Sequence, residues 1–425
     1  MNSKKLDLFI SDELRAFSFD FNPSRVSVIW VLWFFLCLYP ITINGFGVNY
    51  LFVMTPIISL FLGQKIVKPN KLILLFMGLG IVIFASASFY QINLYGYAIR
   101  RVISFILFMS IVAFSFIDLT PKKFNSFILS ICFISCFFSI NSIYNLVVSG
   151  LISNAYEAKD VVGSQRYGFM IVFAFWAILS CWSKSKTLNK IFIIFVSFLI
   201  ISGLVITFSR SSIVALLASF VFFLIYGDQK KKNHRVFTFN LKNIKRIVGC
   251  VVIAFFLLYI VKMFTPSIFE FFNIRLFKFF VSGQVFENLQ LQQTSEGTRL
   301  LIWSEVFEYV ISNPLLGSGF LGSWIFGEGF GSSHNQYVDA LLRLGFVGFI
   351  VYIYLYWRLI ALLLSKNRLL LAGFVGVLAY GMFHETFKEP YGSALLAFLL
   401  SCYSSEMKQN ENLKLLKKNS YSQQN

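Results

Sequence analysis

Apolar side chains run along this chain in stretches of about 17–22 residues, set apart by short polar connections. A buried soluble core rarely produces such runs repeatedly. As helices they are long enough to cross a hydrocarbon layer of roughly 30 Å. Twelve spans are predicted, over residues 26–44, 48–64, 72–90, 102–118, 126–147, 168–183, 191–208, 212–227, 247–263, 344–357, 369–383 and 392–405. The expected fold class is an all-α polytopic membrane protein of about 12 transmembrane helices.

The organisation that follows is a polar segment 1–25, nine spans over 26–263, a long connection 264–343, three spans over 344–405, and a tail 406–425. The long connection has mixed patterning and is expected to contain short helices. Residues 268–280 set bulky apolar side chains around Glu270, Asn273, Arg275 and Lys278, which suits a helix lying in the membrane interface and a soluble amphipathic helix alike. Over 298–311, Leu300, Trp303, Phe307 and Val310 recur at helical spacing, with Glu305 and Glu308 elsewhere on the surface. Asn313-Pro314 should end that helix and Gly317-Ser318-Gly319 should turn the chain. The next helix is expected to start near Ser332-Ser333, serine being a favoured N-cap. On a continuous helix Val338, Leu341, Gly345 and Gly348 would share the face of His334 within about 40°, packing it into the bundle.

Composition agrees with the pattern. The 425 residues are 57% hydrophobic and only 13% charged, with 53 Phe and a mean hydropathy of +0.73. A soluble chain of this length would carry nearly twice that charge. The net charge of +18 raises the question of nucleic acid, which its placement answers. The N-terminus, alternate connections and the C-terminal tail together hold 26 of the 37 Lys and Arg and 8 of the 19 Asp and Glu, leaving 11 of each on the other side. The whole excess therefore sits on one face, the positive-inside signature, which places that face and both termini in the cytoplasm. The basic run Lys230–Lys232 with Arg235, Lys242, Lys245 and Arg246 could bind anionic lipid, and is read in preference as a solvated cytoplasmic loop. The six cysteines fall in or beside spans without metal or redox spacing, and read as packing residues. No cleavable signal peptide is expected.

Ionisable residues are scarce within the spans, so those at span ends carry the candidate chemistry. Arg166 precedes the sixth span, Arg210 lies in the tight turn after the seventh, and Arg299 and His334 open helices of the long connection. Arg100 and Arg101 also reach the outer side and read as interfacial anchors. A guanidinium binds phosphate oxygens bidentately and keeps its charge. A helix N-terminus adds backbone donors for an anion, and an imidazole can accept a proton. Several arginines with one histidine thus suit a diphosphate leaving group and an acceptor hydroxyl, a set that an anion transporter could share. Asp-x-Asp is absent and the outer acids are scattered, so no metal site is expected. There is no Walker A sequence, Gly-x-Ser-x-Gly elbow or His-Glu-x-x-His.

His334-Asn335, nine residues, Gly345, two residues, Gly348 resembles the signature of the O-antigen polymerase and ligase superfamily (Wzy and WaaL). Arg299-x-x-Ile302-Trp303, Asn313-Pro314-Leu315-Leu316-Gly317-x-Gly319, Thr207-x-Ser209-Arg210 and Arg166-x-Gly168 look like further parts of it; the first five spans match only in hydropathy. The resemblance implies a GT-C-like helical fold in the bacterial inner membrane with its active site periplasmic. It also implies an undecaprenyl-diphosphate-linked glycan as donor and transfer with inversion, without metal, nucleotide or other cofactor. Arg166, Arg210 and Arg299 would hold the diphosphate, with Arg210 and His334 catalytic and His334 serving the acceptor hydroxyl. Asn335 and Asp339 are weaker acceptor-binding candidates, since Asp339 lies about 140° from His334 on a helix. Partners implied are the bilayer, the lipid-linked glycan, and a chain-length regulator or a lipid A–core acceptor, with no nucleic acid. The Ile-Trp and Asn-Pro-Leu-Leu-Gly-x-Gly runs look more like polymerases, while the His-Asn to Gly-x-x-Gly spacing suits ligases equally. A lipid-linked oligosaccharide flippase is the rival from another class; internal repeats and midplane polar groups, which it should show, are not evident.

Overall fold

The computed structural model describes residues 28–38, 42–43, 46–47, 71–90, 121–148, 167–181, 187–206, 209–226, 295–326, 332–388 and scattered positions between 392 and 403. Among these the regular structure is helical apart from one two-residue ladder. The helices are α1 (Val28–Leu38), α2 (Lys71–Tyr90), α3 (Pro121–Val148), α4 (Gly168–Ser180), α5 (Thr187–Ile206), α6 (Arg210–Tyr226), α7 (Ser295–Ser312), α8 (Gln336–Lys366) and α9 (Arg368–Tyr380). Short 3-10 segments cover Gly319–Phe326 and Thr386–Lys388. The predicted spans two, four and nine, the 268–280 segment and the 228–246 loop lie outside the described residues.

Among the described residues two helices, over Asn125–Tyr144 and Gln336–Ser365, are long and apolar enough to cross a membrane. On α5 the apolar Ile191, Phe195 and Phe198 are 62%, 62% and 70% exposed. Water would penalise such a face, while lipid would not, so the chain reads as a membrane protein here as in its hydropathy.

The first span ends early. Helix α1 stops at Leu38, and Thr42–Ile43 pairs antiparallel with Phe46–Gly47 in register Ile43 to Phe46. The sequence between them, Asn44-Gly45, is the strongest short hairpin signal, and Pro40 opposes helix continuation. The tenth span differs at its far end. Predicted over 344–357, it is the part of α8 after a kink at Gly345 and runs on to Lys366. The part before the kink begins at Gln336 in the long connection, where a helix leading into this span is expected.

By contacts the chain divides into two units. One comprises residues 131–301 with 364–380. At its centre α4 is buried on all sides from Gly168 to Ile178 and packs against α5, α6 and α9. Gly373 and Gly376 of α9 admit this approach: a Cβ at Gly376 would press on Val172, and one at Gly373 on Trp176 and Phe173. Trp176 donates its indole N–H to Ser219 Oγ at 2.7 Å, so the polar edge of the largest core side chain is satisfied.

The other unit comprises residues 1–130, 302–363 and 381–425. Its best-defined core joins Ile302, Val306 and Val310 of α7 to Val338, Leu341 and Leu342 of α8. Of the predicted stripe, Val310 belongs to this core and Trp303 packs against it. Leu300 and Phe307 are half exposed, because apolar residues occur around most of that helix and periodicity alone could not choose its inner face.

Candidate functional site

Helix α8 is broken at Gly345, whose φ of 59° and ψ of −174° are not helical. A break frees one carbonyl before it and one N–H after it, and buried backbone groups need partners. The turn after α7 supplies both. Ser318 N–H donates to the Leu342 carbonyl at 2.7 Å, and Phe346 N–H donates to the Pro314 carbonyl at 2.8 Å. Gly317, at φ 65°, has its missing Cβ aimed at the Leu342 carbonyl, and that of Gly345 at the Leu315 carbonyl. The Asn-Pro-Leu-Leu-Gly-x-Gly run and the glycine of the His-Asn signature are therefore two halves of one backbone joint. On a continuous helix Gly345 would be a small residue on the packing face; here its close neighbour is this turn.

Asp339 and Arg343, one turn apart on α8, are both buried and paired Nε to Oδ2 at 2.8 Å. The guanidinium lies over Gly322, at φ 58°, where a side chain would collide with it. Asp339, expected as an acceptor ligand, is thus engaged by a cation that the sequence reading did not single out.

His334 sits before the helix, not within it. Asn335 is the N-cap: its Oδ1 accepts N–H donors from Tyr337 at 2.9 Å and Val338 at 3.2 Å. The expected start near Ser332-Ser333 moves to Gln336, since asparagine competes at least as well for that position. His334 adopts φ 51° and is exposed, so the helical face assigned to it does not apply. A left-handed L-residue costs roughly 1–2 kcal/mol and persists only where its surroundings over-determine it.

Those surroundings are dense on both sides. Ser333 is fully buried; its N–H donates to Glu385 Oε1 at 2.8 Å, and its hydroxyl lies 2.8 Å from the same oxygen. The Ser333 carbonyl accepts the Trp303 indole N–H at 2.9 Å. The His334 N–H donates to Ser332 Oγ at 3.1 Å. On the other side Gln336 N–H donates to the Gly381 carbonyl at 2.8 Å, and Gln336 Oε1 accepts from Phe387 N–H at 3.2 Å. The segment 381–387 is held from both flanks of His334.

The arginines fall in different places. Helix α6 begins at Arg210, capped by Ser209, whose carbonyl accepts from Ile213 N–H at 3.1 Å and whose hydroxyl accepts from Ser212 N–H at 3.4 Å. Arg166 lies outside the described residues, two positions before Gly168. A Cβ on Gly168 would collide with the Ser212 side chain and touch the Tyr380 ring. The starts of α4 and α6 therefore meet the end of α9, while at the other end Arg368 Nη1 donates to the Tyr226 carbonyl at 3.2 Å. Arg299 is half-buried on α7, one turn before Trp303. Among the described residues no group of three His, Cys, Asp or Glu comes together.

Glu385, Ser333, Gln336 and Arg343 were not among the sequence candidates. An acid in Phe383-His384-Glu385-Thr386-Phe387, between two apolar spans, was the available signal for Glu385, by the same rule that singled out the arginines.

Comparison with known proteins finds similarity over part of the chain. Residues 195–353 match the family model for O-antigen ligase (Wzy_C), which shows the superfamily resemblance over a region holding Arg210, Arg299, the joint and His334. The chain is also similar to the ComP-specific O-oligosaccharyltransferase of Acinetobacter baylyi (strain ATCC 33305 / BD413 / ADP1), 26% identical over 279 residues, or 62% of this chain. It spans about half the length of that curated relative, 47%. No solved structure matches.

Proposed function

We propose that the chain is a glycosyltransferase of the bacterial inner membrane that moves a glycan from undecaprenyl diphosphate to a hydroxyl at the periplasmic face. The observation that carries the reading is an exposed histidine, held in a costly backbone conformation by bonded neighbours, within the O-antigen-ligase-like region. An acceptor oxygen attacks the anomeric carbon, the bond to the diphosphate breaks, and undecaprenyl diphosphate leaves. The hydroxyl proton passes to His334, and attack opposite the leaving group inverts the anomeric centre. Arg166, Arg210 and Arg299 neutralise the diphosphate; no metal is needed where guanidinium groups take that charge. Asn335, which caps α8 through Oδ1, has its amide N–H₂ as the group to offer the acceptor. The charge division along the chain, +18 against zero, supports cytoplasmic termini.

The acceptor is proposed to be a second lipid-linked repeat unit, making the chain an O-antigen polymerase, on the Ile302-Trp303 and Asn313–Gly319 runs. The ligase reading, transfer to lipid A–core, draws on the description of the matching family and on the transferase name of the relative. Gene deletion separates them. Loss of a polymerase leaves lipid A–core with at most one repeat unit, restored to a ladder by the wild-type gene and not by Arg210→Ala. Bare core with long chains stranded on the carrier would instead establish the ligase. An unchanged ladder with repeat units trapped on the cytoplasmic face would favour the flippase.

A further inference from the structure

We propose that Glu385 is a positioning residue for His334, acting through Ser333 and transferring no proton of its own. This rests on the role of His334 proposed above. Glu385 is 7% exposed and Ser333 fully buried, so their contact is shielded from water. One carboxylate oxygen meets both the N–H and the hydroxyl of Ser333 at 2.8 Å. The same hydroxyl is 2.9 Å from the Asn335 carbonyl, but it has one proton, and a carboxylate is the stronger acceptor.

The geometry ties this contact to the histidine and not to general packing. Ser333 is the residue immediately before the left-handed His334, and its N–H and hydroxyl on one fixed oxygen hold the Ser333 Cα and side chain from which the peptide to His334 extends. Its carbonyl is held independently by Trp303. On the far side Gln336 fixes the same segment at Gly381 and Phe387, so Glu385 is itself anchored at both ends of its turn. A group presented from a turn held in this way loses rate when the hold is lost, and a displacement of about 1 Å can cost on the order of 10²-fold.

The test uses the purified full chain in detergent, with donor extracted from a strain lacking the gene, and measures undecaprenyl diphosphate binding in parallel. Glu385→Ala should lower turnover by about 10- to 100-fold with binding little changed. Glu385→Gln should restore most of the rate, because its amide oxygen still accepts both Ser333 hydrogens. Ser333→Ala, which keeps its N–H contact, should lose about fivefold to tenfold and serves where Glu385→Ala fails to accumulate. Adding Glu385→Ala to His334→Ala should cost nothing further. Glu385→Gln as inactive as Glu385→Ala, or Glu385→Ala at full rate while His334→Ala is dead, would overturn the positioning role alone. His334→Ala at full rate would remove the reading beneath it.

Discussion

At the residue scale, His334 concentrates the conflict between stability and use. Its φ of 51° suits glycine better than any L-residue. His334→Gly in the full chain is therefore expected to keep or raise the thermal unfolding midpoint in detergent while abolishing transfer. His334→Ala should cost roughly 10²–10⁴ in rate and spare binding of undecaprenyl diphosphate. Glycan output near normal from His334→Gly, at equal protein level, would leave the left-handed turn without a chemical purpose. Arg210, at the first position of α6, presents a different question. If its planar fork grips diphosphate, Arg210→Lys should lose most activity although the charge is kept. A lysine variant with an undiminished ladder would reduce Arg210 to an interfacial anchor.

At the element scale, the joint between α7, its turn and α8 is the feature most open to a stability test. Gly345→Ala adds left-handed strain and drives a methyl group at the Leu315 carbonyl, and should destabilise by about 2 kcal/mol or more. Gly78 on α2 has nothing within 4 Å of a built Cβ. Gly78→Ala should be neutral or stabilising by up to about 1 kcal/mol, the difference in helix propensity. Thermal unfolding of both variants in detergent checks the pair, and equal effects would mean that the joint carries no special constraint. The end of α7 was legible, because Asn313-Pro314 is a strong local stop and the helix ends at Ser312. The break in α8 was not. A glycine inside an apolar run looks alike whether it admits a neighbour or breaks the helix, and only the bonds from Pro314 and Ser318 distinguish the two.

At the scale of the whole molecule, the +18 to zero division of charge leads to a topology that reporter fusions can read. Fusions at Ser185 and Lys366 should report cytoplasm and one at Gln292 periplasm; the reverse pattern would put the proposed site on the wrong side. Within one unit the helix directions are compatible with this, since α4 and α6 start where α9 ends. The sequence by itself determined the membrane class, the approximate positions of α2 to α6 and α9, and the candidate arginines and histidine. Each of these rests on local quantities: apolar length, charge placement, or the rarity of an ionisable group beside a span. Tertiary structure alone decided which face of α7 is buried, that Asn335 caps α8 and leaves His334 outside it, and that Gly345 receives a turn. It alone brought Glu385 to Ser333, 52 residues away along the chain. Such pairings depend on where remote backbone groups find partners once water is excluded, and no local pattern of residue types encodes that choice.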